Sequence, residues 1–101
     1  MDINFFKETR ILDGGMGQEL LARGMKPNGT LWSANAILNS EYHELVESTH
    51  KDFVKAGAEV IVTTTFTTRR KRLSENNIED NFEYLNRKAG EIALKVKNEH
   101  P

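Results

Sequence analysis

The chain has 101 residues, which is enough for one small domain and too few for two ordinary ones. Charged residues make up 29% and the formal net charge is -1, so nothing in the composition marks the chain as disordered or as a generic nucleic-acid binder. It contains no cysteine, so it supplies no disulfide and no thiolate metal ligand, and no stretch approaches the ~20 apolar residues of a membrane span. We expect a cytoplasmic protein with no nucleic-acid or membrane partner.

The first predicted element is a short strand over residues 10–12 that ends in a glycine-rich loop, Asp13-Gly14-Gly15-Met16-Gly17. Glycine permits positive φ and the close approach of a ligand. An acid at the carboxyl end of a strand indicates a binding site on an α/β scaffold, because ligands in those folds lie outside the carboxyl ends of the strands. A tight strand-to-helix turn with a capping aspartate is the alternative interpretation, since one glycine-rich loop is not specific.

Two short helices are predicted after the loop. Good helix formers occupy residues 18–23, and Gly24 follows them, as glycine often does just past a helix end. A turn then leads to a second helix within residues 31–38, for which Ser33 is a candidate cap. We expect Trp32 to anchor this region by packing, with contact to a ligand as the alternative.

The strongest helical pattern begins at Ser40, which we expect to cap the helix. Apolar side chains recur three and four positions apart along one face, and Gly57 closes the helix. His43 and His50 lie seven positions apart, which is not the i,i+4 spacing of a helical zinc pair. We interpret both histidines as residues of the helix surface.

Residues 58–66 predict a second strand, because aliphatic residues followed by three threonines are typical of a parallel strand buried on both faces. The two strands and the helical crossover between them form a βαβ unit. Adjacent parallel strands place both carboxyl ends at one edge, which brings the glycine loop beside residues 63–66. A carboxylate suits a ligand ammonium, and amides with hydroxyls suit a ligand carboxylate, so this edge could hold the head of an α-amino acid.

The last third of the chain begins with four consecutive cations, Arg69-Arg70-Lys71-Arg72. They favour a solvated helix start over a phosphate site, because the net charge is slightly negative and no aromatic residue is interleaved with them. Apolar residues at helical spacing over residues 82–96 predict a long final helix.

Taken in order, these motifs resemble the amino-terminal third of the homocysteine S-methyltransferases. The resemblance implies an α/β fold made of the amino-terminal βα units of a (β/α)8 TIM barrel, incomplete in this chain. Residues 1–101 would then be a partial homocysteine-binding domain with the first two strands and their helices. The motifs are the glycine loop with Glu19 and Leu20, Leu31-Trp32-Ser33-Ala34, His50 and Phe53 before Ala56-Gly57-Ala58, and Thr-Thr-Thr-Phe at 63–66.

The same resemblance implies a substrate-binding site. Asp13 would hold the amino group of homocysteine, and a threonine of the second strand would contact the polar head. The family usually has asparagine where this chain has Thr64. The substrate-binding residues that the resemblance implies are Asp13, Gly14, Gly15, Met16, Gly17, Thr63, Thr65 and Phe66.

The resemblance also implies a zinc ion, which cysteine thiolates hold and which binds the homocysteine sulfur as a thiolate. That thiolate takes a methyl group from a donor to give methionine. This chain has no cysteine to bind zinc, so it would carry the amino-acid-binding half of the site and be inactive alone; whether it is itself an enzyme stays open. The stretch Trp32-Ser33-Ala34 is more similar to that of the family branch that uses S-methylmethionine as donor than to that of the branch that uses betaine.

Two other functions remain open. A non-catalytic interaction module would pair through an exposed sheet edge or recruit a partner with Arg69–Arg72, and self-association or a completing polypeptide would cover that edge. A phosphate-binding loop is less favoured, because the glycine loop lacks the lysine and the serine or threonine of a P-loop and because Asp13 would repel phosphate.

Overall fold

Five α-helices dominate residues 3–99, the part of the chain that the computed structural model describes, apart from the side chain of Phe6. Residues 1, 2, 100 and 101 of the predicted domain lie outside the described residues. The helices are α1 (Met16–Ala22), α2 (Ala34–Leu38), α3 (His43–Lys55), α4 (Arg70–Glu75) and α5 (Phe82–Glu99). Three short 3₁₀ helices span Ile3–Lys7, Ser40–Tyr42 and Glu79–Asn81.

The helices pack around one apolar core. α3 contacts α1, α2 and α5, and α2 also contacts α5. Each of the five α-helices buries at least one side chain, so each packs its apolar face against the core. The buried core residues are Leu20, Met25, Leu31, Ala34, Ala36, Ile37, Val46, Leu73, Leu85, Ala89 and Ile92. Each helix within residues 3–99 is too short or too polar to cross a membrane.

The long helices agree with the prediction better than their caps do. α5 contains the predicted apolar residues 82–96, and Gly57 follows α3 with φ +118°, as expected for a glycine just past a helix end. The prediction that Ser40 caps α3 is wrong, because Ser40 begins a 3₁₀ helix and α3 itself begins at His43. Ser33 lies at the start of α2 but makes no capping hydrogen bond through its side chain.

The two predicted strands are not formed among the described residues. Residues 10–12 and 58–66 share a single isolated parallel bridge, between Leu12 and Val60. The parallel direction agrees with the prediction, but two short segments alone offer few ladder hydrogen bonds, and a strand pair of this size is marginal without further strands. The incomplete α/β unit is therefore not confirmed.

Burial of the second strand on both faces is also wrong. Val62 and Phe66 are exposed, and so are Ile11 and Leu12 on the first segment. Parallel strands are buried when layers cover both faces, and the helices of this chain leave these four side chains uncovered. The two segments consequently form an open apolar edge beside the helical core.

Candidate functional site

A cavity of about 600 Å³ lies where the glycine loop meets residues 62–67. Its volume falls in the range of small-molecule sites. Its lining combines apolar side chains with an acid, a base and several hydroxyls. The lining residues are Leu12, Asp13, Gly14, Gly15, Met16, Gly17, Gln18, Trp32, Ser33, Val62, Thr63, Thr64, Phe66, Thr67 and Arg72.

Asp13 is held at this cavity by the parallel bridge. Its backbone N–H donates to the carbonyl oxygen of Val60 at 3.0 Å, and its Oδ2 accepts a hydrogen bond from the N–H of Val62 at 3.1 Å. Backbone and side chain of one residue therefore bind the same neighbouring segment. This double attachment sets the position of the carboxylate without using all of its acceptor sites.

Gly14 is the glycine at which the loop needs the absence of a side chain. A Cβ there would lie 2.8 Å from Cε1 of Phe53, a residue of α3. A Cβ at Gly15 would meet nothing within 4 Å. The loop thus runs against α3 at Gly14, which places Asp13 and the following amides close to the helix.

The three threonines of the second segment differ in their placement. Thr63 lines the cavity, and its Oγ1 lies 3.0 Å from Oγ1 of Thr65, which does not line it. Thr64 is buried and lines the cavity, with its Oγ1 3.5 Å from Nε2 of His50. That distance is at the outer limit of a hydrogen bond, so the contact is weak.

Thr67 connects this segment to the start of α2. Its buried Oγ1 donates to the carbonyl oxygen of Leu31 and accepts a hydrogen bond from the N–H of Ala34 at 3.0 Å. The hydroxyl is thus already used within the protein. Its contribution to the cavity is to hold two walls together.

His50 is buried, so its interpretation as a helix-surface residue is wrong. Among the described residues, its Nδ1 has no hydrogen-bond partner. Burial lowers the pKa of His50, and the nearby Asp13 carboxylate opposes this shift only in part. We therefore treat the imidazole as neutral at pH 7. It lies behind the cavity wall formed by Thr64.

Trp32 was predicted to anchor this region by packing, but its side chain does not enter the core. Its side chain is 52% exposed and lines the cavity, while Leu31 beside it is buried. Its φ of +52° lies in the left-handed region, which is unusual for a bulky residue. The turn thus places the indole at the cavity, while the buried side chain of Leu31 anchors the turn in the core.

All of the predicted site residues except Thr65 line the cavity. Ligand binding by them stays a prediction. The binding residues predicted from the sequence did not include five further polar residues of the lining. Those residues are Gln18, Ser33, Thr64, Thr67 and Arg72.

The described residues do not fit a zinc site. They contain no group of three histidine, cysteine, aspartate or glutamate side chains that could hold a metal ion, and the chain has no cysteine. The zinc ligands that the resemblance implies are thus not supplied by these residues. We derive no chemical step through zinc from them.

The family of the chain follows from comparison with known proteins. A family model described as homocysteine S-methyltransferase matches residues 10–101. The chain belongs to the homocysteine S-methyltransferase family. The resemblance is thereby confirmed, and membership agrees with a TIM-barrel-like fold class for the family, although the described residues form no strand.

Relatives in this family are similar over most of the chain. Homocysteine S-methyltransferase 2 of Saccharomyces cerevisiae is 36% identical over 78 residues, covering 69% of this chain and 24% of the relative. Homocysteine S-methyltransferase 2 of Zea mays is 36% identical over 88 residues, covering 86% and 25%. Selenocysteine Se-methyltransferase of Brassica oleracea var. italica is 34% identical over 96 residues, covering 91% and 27%. The chain thus spans about a quarter of these relatives' length. No solved structure gives a significant match.

Proposed function

We propose that this chain is the amino-terminal portion of a homocysteine S-methyltransferase-like protein, which methylates the thiolate of homocysteine to give methionine. It carries the amino-acid-binding half of the site. The observation that carries the proposal is the placement of Asp13 in one cavity with Thr63, in a chain of this family. The proposal includes a cytoplasmic location and S-methylmethionine as the methyl donor.

Asp13 binds the ammonium group of the amino acid in this proposal. Its carboxylate is positioned by the N–H of Val62 and keeps further lone pairs for a ligand. A hydrogen bond between two charged groups is shorter and stronger than a neutral one. The Thr63 hydroxyl and the amides of residues 14–17 contact the polar head beside it.

Calorimetric titration with L-homocysteine tests this role. The substitution Asp13→Asn keeps an oxygen for the N–H of Val62 but removes the negative charge, so affinity falls roughly 10- to 100-fold. Asp52→Asn is the matched control, because Asp52 pairs with Arg23 on the surface and does not line the cavity. Equal affinities of wild type and Asp13→Asn would remove Asp13 from the site.

The chain is inactive alone in this proposal, since its residues do not supply the thiolates of the family's zinc site. A methyl-transfer assay with zinc, L-homocysteine and S-methylmethionine measures this directly. We expect no methionine above the uncatalysed background. Turnover at ordinary enzyme rates of about 1 s⁻¹ or more would contradict it.

An interaction module is the second candidate function, and the open apolar edge favours it. We call the exposed side chains around the bridge and cavity the open-edge patch: Ile11, Leu12, Trp32, Val62 and Phe66, which are 52% to 77% exposed. Clusters of exposed apolar residues mark association sites or aggregation hazards. In this function a second copy or a completing polypeptide covers the patch. Light scattering after size exclusion separates the two functions: a stable monomer that binds L-homocysteine argues against pairing as the chain's role.

A further inference from the structure

Arg72 stands out in the cavity lining by its charge. Of the described residues that line the cavity, only Asp13 and Arg72 carry a formal charge. One is an anion and the other a cation. A free α-amino acid carries the complementary pair, an ammonium and a carboxylate, so the lining supplies one side chain of opposite charge for each of these groups.

The Arg72 side chain is held in place rather than free in solvent. It is partly buried, and its Nη1 donates to the carbonyl oxygen of Thr30 at 2.9 Å. Asn76, one turn further along, donates from Nδ2 to Oγ1 of Thr30 and to the carbonyl oxygen of Arg72, both at 2.9 Å. These bonds join α4 to the loop before α2. Such preorganisation reduces the entropy lost when a ligand binds.

Arg72 also retains donors that a ligand can use. A guanidinium has five N–H donors, and within residues 3–99 the structure gives the guanidinium of Arg72 one hydrogen bond, the one to the carbonyl oxygen of Thr30. The neighbouring arginines are engaged differently: the guanidinium carbon of Arg69 lies 5.4 Å from the ring centroid of Phe66, and that of Arg70 lies 4.1 Å from that of Phe82. The planar fork of a guanidinium matches the two oxygens of a carboxylate.

We propose that Arg72 binds the α-carboxylate of the amino-acid ligand while Asp13 binds its ammonium. Arg72 is then a specificity residue that selects α-amino acids over amines of the same length. The inference rests on the proposed function, because it assumes that an amino acid occupies the cavity. The carboxylate belongs either to homocysteine or to an amino-acid methyl donor, and both share the chemistry that Arg72 recognises.

Two ligand pairs test the inference on the 101-residue chain by calorimetry. L-homocysteine is compared with 3-aminopropane-1-thiol, which lacks only the carboxylate, and S-methylmethionine is compared with its decarboxylated counterpart. Wild type binds at least one of the two amino acids roughly 10- to 100-fold more tightly than its partner amine. Arg72→Gln removes this preference, whereas Arg72→Lys keeps part of it, because lysine retains the charge without the fork.

Lys71→Gln is the matched control, since it removes one positive charge from the same helix at an exposed position outside the cavity. It leaves the preference for the carboxylate unchanged. The ligand pair that loses its preference in Arg72→Gln identifies which carboxylate Arg72 binds.

The outcomes separate this inference from the proposed function. A preference that survives Arg72→Gln for both ligand pairs, in a chain whose homocysteine affinity still depends on Asp13, overturns the role of Arg72 alone. Absence of binding to both amino acids by wild type overturns the proposed function and this inference with it. A preference that Lys71→Gln removes as well assigns the effect to general charge and also overturns the role of Arg72.

Discussion

At the scale of single residues, His50 combines burial with a titratable group next to the cavity. It follows Val46 by four positions and precedes Phe53 by three, so it lies on the apolar stripe of α3. This spacing is visible in the sequence and indicates that His50 is buried. The seven-position distance to His43 was weaker evidence for a place on the helix surface. Among the described residues the Nδ1 of His50 has no partner, so the fold offers no hydrogen bond at this atom to a charged imidazole.

The pKa of His50 predicts a dependence of stability on pH. Burial lowers this pKa below its ordinary value of 6.5, so below that pH the unfolded chain binds a proton that the folded chain does not. The contribution of His50 to the free energy of unfolding is therefore constant above pH 6.5. It falls as the pH drops towards the folded-state pKa, by at most about 1.4 kcal/mol per pH unit for one proton.

Urea unfolding between pH 7.5 and pH 5.5 measures this dependence. The variant His50→Gln loses the histidine part of the slope, whatever its stability at pH 7.5. His43→Gln, on the same helix, is the control, because it leaves His50 and its part of the slope in place. A slope in His50→Gln equal to that of wild type would show that His50 is not the responsible group.

At the scale of elements, the helices were predictable and the strands were not. The apolar spacing of α3 and α5 is local, and each helix satisfies its own backbone hydrogen bonds, so the pattern alone indicates the element. Residues 58–66 have the composition of a strand, but a strand requires partners beyond the chain segment itself. Only the bridge between Leu12 and Val60 forms here.

The site residues on the two segments were predictable from the sequence. The site residue on α4 was not, because its direction depends on how that helix is rotated. Asp13 and Thr63 were predicted as site residues because two parallel segments end at one edge, and the structure places both at one cavity. Arg72 is one of four consecutive cations, and successive helix positions point about 100° apart. Which of the four faces the cavity depends on the packing of α4, and sequence reasoning had no information about that packing.

Thr67 is the side chain that ties the second segment to α2, and its removal tests that connection. Thr67→Val keeps the shape but removes the hydroxyl that bonds Leu31 and Ala34. The N–H of Ala34 keeps its bond to the carbonyl oxygen of Leu31 at 3.0 Å, so the expected loss is about 0.5–1.5 kcal/mol for each hydrogen bond of the hydroxyl. Thr67→Ser retains the hydroxyl and is the matched control. Thermal and urea unfolding of both variants measure the difference; equal stability of Thr67→Val and wild type would mean that this bond does not hold the cavity walls together.

At the scale of the whole molecule, a helical core carries an open edge. All five helices contribute residues to the core, whereas the open-edge patch has no covering layer within the described residues. The chain spans about a quarter of its relatives' length, and the patch lies beside the cavity that holds Asp13. A cavity next to an uncovered apolar surface agrees with the proposal that this chain contributes to a binding site without completing it.

The most direct test of this proposal is an amide nuclear magnetic resonance titration of the 101-residue chain with L-homocysteine. We predict saturable shift changes centred on residues 13–17 and 62–67 and on the side-chain signals of Arg72, with the Asp13→Asn variant losing them and Asp52→Asn retaining them. Absence of saturable changes, or changes that centre on the charged surface of α3 away from the cavity, would contradict the proposal that this chain carries the amino-acid-binding half of the site.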